Sequence, residues 1–379
     1  MPKSNHSFHI RHIFPKFRRH ATTYHMDGTA IIITQGLFAT SKAKTAHGLV
    51  RDSSRYRILA VIDSASAGQD AGTVLDGTSR GIPIYASITE FQQQSPEPAQ
   101  YCLVGTAGKG GRIPPGMLEM VKEALGAGMN IVSGLHEFMG DVPQLQALAE
   151  AQRVTITDIR RPKPKDQLAF WTGDIRQVRS LKLAVLGIDC NVGKRTTARL
   201  LLHALRAADV SAEMIYTGQT GWMQGNRYGF IFDSTFNDFI SGELEAAMLR
   251  CYREAQPDVI LLEGQSSLRN PSGPGGAEFL LSGQARHVVL QCAPGRTHYN
   301  GFEEEGWLLP SVASEVALIR AYGAEVIALT LNTEKLGLDE ARHHQQQLQK
   351  ETGLPILLPM EDGLDGLVEL IQALLESQS

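Results

Sequence analysis

The sequence predicts an α/β protein of two three-layer domains, each a parallel sheet covered by helices on both faces. Three observations predict it. Short runs rich in Val, Ile and Leu alternate with amphipathic helical stretches from residue 29 to the C-terminus. The alternation breaks at the proline- and charge-rich RRPKPKD of residues 160–166. A length of 379 residues also exceeds one comfortable core.

In the first half, residues 26–160, the spacing predicts strands at 30–34, 57–62, 82–85, 101–104, 130–133 and 154–159. Helices fall between them at 42–50, 89–94, 114–127 and 143–152, the third opened by Pro114 and Pro115, which suit a first turn. Residues 161–180 read as a linker, with the less regular stretch up to Arg179 able to pack between the domains. In the second half, 181–379, strands are expected at 181–186, 211–216, 259–262, 287–291, 326–331 and 355–358. Its helices are expected at 196–208, 242–255, 314–322, 338–351 and 364–376. No fixed-period repeat is visible.

Composition narrows the function classes. The net charge of −4 supplies no basic field for nucleic acid. No apolar run is long enough to span a membrane. Cys102, Cys190, Cys251 and Cys292 are scattered without a CxxC pair and read as reduced thiols of a cytoplasmic protein. The first 25 residues carry five His, five Lys or Arg and no acid, and read as a disordered tail or as an extension upstream of a true start at Met26.

The strand at 181–186 (LKLAVL) runs into GIDCNVGKRTT, residues 187–197, and then into a helix. Strand, glycine-rich turn and helix N-terminus together form a phosphate-binding loop: backbone N–H groups point inward and the helix dipole favours an anion. Gly187 and Gly193 permit the turn, and Lys194 reaches toward terminal phosphates. Asp189, Asn191, Arg195, Thr196 and Thr197 complete the expected ligand contacts. The loop departs from the strict pattern: five residues separate the glycines, and Arg195 intervenes between Lys194 and Thr196. Were the ligand a nucleotide carrying Mg²⁺, Thr196, Glu263 at a strand end, and Asp233 or Asp238 are the expected metal contacts. Asn332, after a late strand, is placed for a purine edge. Gln219 and Thr220, in the glycine-rich TGQTGWMQG, are expected to face ligand.

The first half reads as Rossmann-like. Asp63 ends its second strand, where a ribose-binding acid would fall, but GxGxxG is missing, so dinucleotide binding is not supported. GTAGKGGR (105–112) reads as an anion nest. Lys42, Lys44 and His47 offer a second anion contact. His136, after the strand at 130–133, is a candidate general base, with His298 as the alternative. Arg296 is a candidate clamp for a carboxylate.

The loop, the Glu263–Gly264 pair and Asn332 resemble dethiobiotin synthetase-type P-loop enzymes. Over nearly the whole chain after Met26, AKTAHGLVR, RYRILAVIDSASAGQDAGTVLDG, NIVSGLHEF, GIDCNVGKRTT, TGQTGWMQG, LLEGQSSL and LNTEKL resemble a two-domain family that includes bacterial D-glutamate N-acetyltransferases. The resemblance implies a Rossmann-like N-terminal domain and a P-loop NTPase-like C-terminal domain. It implies acetyl transfer from acetyl-CoA to a small acidic amino acid; the phosphate loop is then expected, as a reading of its own residues, to hold the donor's phosphates. An ATP- and Mg²⁺-dependent ligase and a nucleotide-binding protein without chemistry are the alternatives. A small-molecule substrate and a homo-oligomer are expected, with neither nucleic acid nor membrane as partner.

Overall fold

The computed structural model describes residues 26–106 and 109–378. The basic tail at 1–25 lies outside the described residues, as do residues 107 and 108 of the expected anion nest.

In the N-terminal domain, β1 (Gly28–Ile33), β2 (Tyr56–Ile62), β3 (Ile84–Tyr85), β4 (Tyr101–Val104), β5 (Asn130–Ser133) and β6 (Ile156–Asp158) form a six-stranded sheet. Every pair is parallel, and the order β3-β2-β1-β4-β5-β6 is the Rossmann order. Helices α1 (Lys44–Arg51), α2 (Ala71–Asp76), α3 (Ile88–Gln94), α4 (Met117–Gly126) and α5 (Pro143–Gln152) cover it. The apolar run in β1 explains its central place. Ile31 and Ile33 pack with Phe91, Val121 and Leu125 on one face, while Ala30 and Ile32 pack with Phe38, Ala46 and Leu49 on the other.

The C-terminal domain repeats this logic with seven strands: β7 (Leu181–Gly187), β8 (Ala212–Tyr216), β9 (Tyr228–Gly229), β10 (Val259–Glu263), β11 (His287–Cys292), β12 (Glu325–Leu331) and β13 (Ile356–Leu357), in the order β13-β12-β11-β7-β10-β8-β9. Its helices are α6 (Lys194–Ala207), α7 (Gln219–Met223), α8 (Asn237–Ala255), α9 (Ala277–Leu281), α10 (Val312–Ala321), α11 (Leu338–Thr352) and α12 (Asp365–Gln378). Leu183 and Val185 face Leu201 and Leu205 of α6, while Ala184 and Leu186 face Leu244 and Met248 of α8. Among the described residues, no helix is long and apolar enough to cross a membrane.

Several local expectations are corrected. Pro114 and Pro115 precede α4, which starts at Met117 after Gly116 at φ 80°. Helix α8 begins at Asn237 rather than 242. Helices α2, α7 and α9, which the periodicity did not predict, have six, five and five residues, too few to show a helical period. Residues 161–180 are no free connector. Glu245 accepts hydrogen bonds from the Thr172 N–H, the Thr172 hydroxyl and the Ile175 N–H, and Ile175 and Val178 enter the C-terminal core.

The domains meet along α1. Lys44 Nζ donates to Asn191 Oδ1 at 3.1 Å, and Asp52, capping the other end of α1, meets Arg199 and His203 of α6. Position numbers rise together along both helices, so α1 and α6 run parallel and present their N-termini to one place. Helix α7 closes the seam. The Thr220 hydroxyl pairs with Thr45 at 3.1 Å, Gln224 donates to the Gly48 carbonyl at 2.8 Å, and Met223 enters the N-terminal core. Gly48 permits this contact, because a Cβ there would lie 2.8 Å from Thr220 Cγ2.

Gly48→Leu is therefore expected to destabilise the protein by about 1–3 kcal/mol, the usual range for overpacking. Denaturant unfolding measures this, and an unchanged midpoint would show that the seam is loosely packed.

Candidate functional site

The ends of the strands fix where chemistry can happen. In parallel sheets ligands bind beyond the carboxyl ends of strands. Here those ends of the two sheets open side by side onto the same domain boundary. Loops after β1, β5 and β6 bring Lys44, His136 and Arg160 from the N-terminal domain. Loops after β7, β8 and β10 bring the phosphate loop, Thr217 and Glu263 from the C-terminal domain.

The phosphate loop forms as its residues predict. Gly193 takes φ 105°, a left-handed conformation that suits glycine, and the helix starts at once with Lys194. Asn191 is also left-handed, at φ 55°. Buried Asp189 holds the turn: it accepts from the Cys190 N–H at 2.6 Å, the Asn270 amide at 3.1 Å and the Asn300 N–H at 2.7 Å. Arg296 braces the outside, donating to the carbonyls of Cys190 and Asn191 at 3.0 Å each and to Glu334 at 2.6 Å. The role expected for Arg296 is thereby corrected, since these contacts hold the loop's backbone rather than present a fork to a substrate.

Lys194 is buried and donates to the carbonyls of Asp189 and Ser266, both at 2.6 Å. Burial lowers its pKa to about 8, with Lys44 adding to the effect. Lys44 is lowered too, first by burial and then by Arg195 and Arg160. The cleft thus gathers Lys44, Lys194, Arg195 and Arg160. Arg160 is matched by Asp233, which it meets at 2.7–3.2 Å. His136 lies on the rim with Nε2 3.8 Å from Asp233 Oδ2, its pKa lowered by burial and by Arg160. The His136 and Glu137 N–H groups donate to the Gly111 carbonyl, so the glycine-rich segment also positions this histidine.

The expected metal contacts do not converge. Asp233 is taken by Arg160. Asp238 sits exposed in the first turn of α8. Glu263 is buried and accepts from the Thr217 N–H at 3.1 Å. Thr197 donates to Gln291 at 2.5 Å, and Thr196 lies one position beyond the place of the metal-binding hydroxyl in a strict loop. Among the described residues no three or more His, Cys, Asp or Glu gather into a ready-made metal cluster. The residues present do not fit a bound Mg²⁺.

Other expectations shift as well. Gln219 and Thr220 seal the domain seam: Thr220 bonds Thr45, and Gln219 packs on Gly134, where a Cβ would lie 2.4 Å from its Cγ. Asn332 uses its Oδ1 to accept from the Glu334 N–H, and its Nδ2 faces Gly193. His298 has local contacts, with Nδ1 2.8 Å from Thr297 Oγ1 and a bridge to Leu308. Asp63 is a buckle, accepting from Thr34, Phe38 and Ser66. Sequence reading passed over Arg160, Asn270 and Gln291, which no motif marks. Their partners Asp233, Asp189 and Thr197 lie 73 to 94 positions away.

Fold and site together define a two-domain α/β protein with a phosphate loop opening onto an interdomain cleft. Residues 64–162 match a Rossmann-like domain of unknown function, DUF1611_N, and residues 169–368 match its P-loop partner, DUF1611_C. A D-glutamate N-acetyltransferase of a Pseudoalteromonas species is 30% identical over 277 residues, covering 71% of this chain and 80% of the relative. Another so named, from Tritonibacter scottomollicae, is 30% identical over 285 residues, covering 73% and 82%. The crystal structure of a DUF1611 family protein from Anabaena variabilis superposes with a TM-score of 0.82 at 27% identity, covering 91% of this chain and 99% of that one. The chain belongs to this D-glutamate N-acetyltransferase-like family.

A phosphate-bearing ligand needs Lys194 charged. With its pKa near 8, affinity for ADP is expected to hold below pH 8 and to fall above it, by at most about tenfold per pH unit. Calorimetry across pH 6.5–9.5 measures this, and Lys194→Ala should abolish both the affinity and its pH dependence. A wild-type affinity that rises above pH 8 would contradict the assignment.

Proposed function

We propose that this protein is an N-acetyltransferase that moves an acetyl group from acetyl-CoA to the amine of a small acidic amino acid such as D-glutamate. The observation that carries the reading is the cationic interdomain cleft, with Lys194 and Arg195 on the phosphate loop and Lys44 opposite. It suits a reaction whose partners are both anions, one carrying a diphosphate and the other two carboxylates. The relatives named D-glutamate N-acetyltransferase support the same reading.

The chemistry needs few groups. The loop's N–H groups and Lys194 hold the diphosphate of the donor. The acceptor's ammonium must lose a proton before its nitrogen can attack the thioester carbonyl. His136 is the base in this reading, because its lowered pKa keeps the imidazole neutral and able to take that proton. Nitrogen bonds to the carbonyl carbon and the oxyanion forms next to the cations of the cleft; the C–S bond then breaks as the second amine proton passes to the sulfur, releasing CoA as its thiol.

Purified protein with acetyl-CoA should convert D-glutamate to its N-acetyl product, followed by mass spectrometry. Free thiol should be released in equal amount. Thiol release without an acetylated amine would reject the acceptor class, and no reaction with any amino acid would reject the reading. His136→Gln should lower kcat by about 10²–10⁴ and leave the KM for acetyl-CoA within about twofold. In the wild type kcat should fall only as pH drops below 6.5, the ordinary histidine value from which His136 is lowered. The variant should lose that acid limb.

A further inference from the structure

The residue after the loop lysine carries unusual weight. In a strict phosphate loop that place belongs to a serine or threonine whose hydroxyl binds the nucleotide's Mg²⁺. Here it is Arg195. Its guanidinium lies in the domain seam, with NH2 3.5 Å from the Lys44 carbonyl and 3.2 Å from the position a Cβ would take at Gly48. Glu263, the acid that ends β10, sits on the other side of α7, where a Cβ at Gly221 would lie 2.9 Å from its Oε2. Arg195 is the cation that acts most strongly on Glu263, ahead of Arg199 and Lys194.

We infer that Arg195 stands in for the divalent metal of a nucleotide site, so that the loop binds the diphosphate of its ligand without a metal ion. Three arrangements support this. The hydroxyl that would hold the metal is replaced by a fixed positive charge. The remaining oxygen donors are dispersed, with Asp233 bonded to Arg160, Thr197 to Gln291 and Glu263 to the Thr217 N–H. The cleft already holds Lys44, Lys194 and Arg195, so a divalent cation there would be repelled. A guanidinium also offers five donors in a rigid fork that matches phosphate oxygens. The consequence is selectivity. A metal-free diphosphate such as that of CoA is accepted, and a nucleotide that arrives with Mg²⁺ brings a charge the site does not need. The inference rests on the proposed donor only for the identity of the ligand; metal independence is a property of the loop.

Calorimetry on the full chain tests it, with CoA and ADP each titrated in EDTA and then in excess Mg²⁺. For the wild type, CoA affinity should agree within about twofold between the two conditions, and ADP should bind no more tightly in Mg²⁺ than in EDTA. Arg195→Ser should bind at least tenfold more weakly in EDTA, the usual effect of losing a charge-assisted contact, and should regain part of that affinity in Mg²⁺. Arg195→Lys, which keeps the charge, should remain metal-independent, and the melting temperature of each variant checks its fold. A wild-type affinity that collapses in EDTA overturns the inference, as does Arg195→Ser with unchanged affinity. Metal-independent binding of ADP with none of CoA would uphold it and reject the proposed donor. Binding of neither ligand would overturn both.

Discussion

The contact between α1 and α6 across the domain boundary is the constraint on which the rest depends. Lys44 meets Asn191 at one end and Asp52 meets Arg199 and His203 at the other. Burial alone would raise the pKa of Asp52, but His203 and Arg199 hold it at about 2. The carboxylate is therefore charged at neutral pH, where it holds Arg199 and His203. Because α6 also carries the phosphate loop at its start, fixing α6 against α1 fixes the loop against the N-terminal domain. Separating the domains would carry Lys44, His136 and Arg160 away from Lys194 and Arg195.

Charge balance around the cleft follows from the same geometry. Helix termini and backbone N–H groups from the loop already favour an anion. Three basic side chains add to that field. The acids that might cancel it are diverted: Asp189 holds the turn, Asp233 matches Arg160, and buried Glu263 has its pKa raised by desolvation against the pull of Arg195. The seam is polar on the cleft side and apolar behind it, where Met223 enters the N-terminal core. That division lets the two domains act as one body around an open, charged centre.

Much of the site was legible in the sequence because it is local. The glycines of the loop, Lys194 and the strand before them lie within a short stretch, and the periodicity of α6 follows directly. His136 was legible as a polar residue just past a strand end. Arg160 was hidden because its partner Asp233 is 73 positions distant and neither belongs to a motif. The seam contacts of Gln219 and Thr220 were hidden for a related reason. A glycine-rich polar segment reads as ligand-facing, yet here its small residues permit close packing of one domain on the other. Arg296 looked like a carboxylate clamp because its backbone acceptors on the loop cannot be seen in a sequence.

By itself, then, the sequence determined the two parallel-sheet domains and the loop between β7 and α6, because buried strands, helix periods and glycine turns are properties of neighbouring residues. Only the tertiary structure decided that the carboxyl ends of the two sheets lie side by side at one domain boundary. It also decided that Lys44 meets the phosphate loop at Asn191 and that the expected metal donors stay apart. Those outcomes depend on contacts between residues some 70 to 180 positions apart, such as Thr45 with Thr220, and no local rule specifies them.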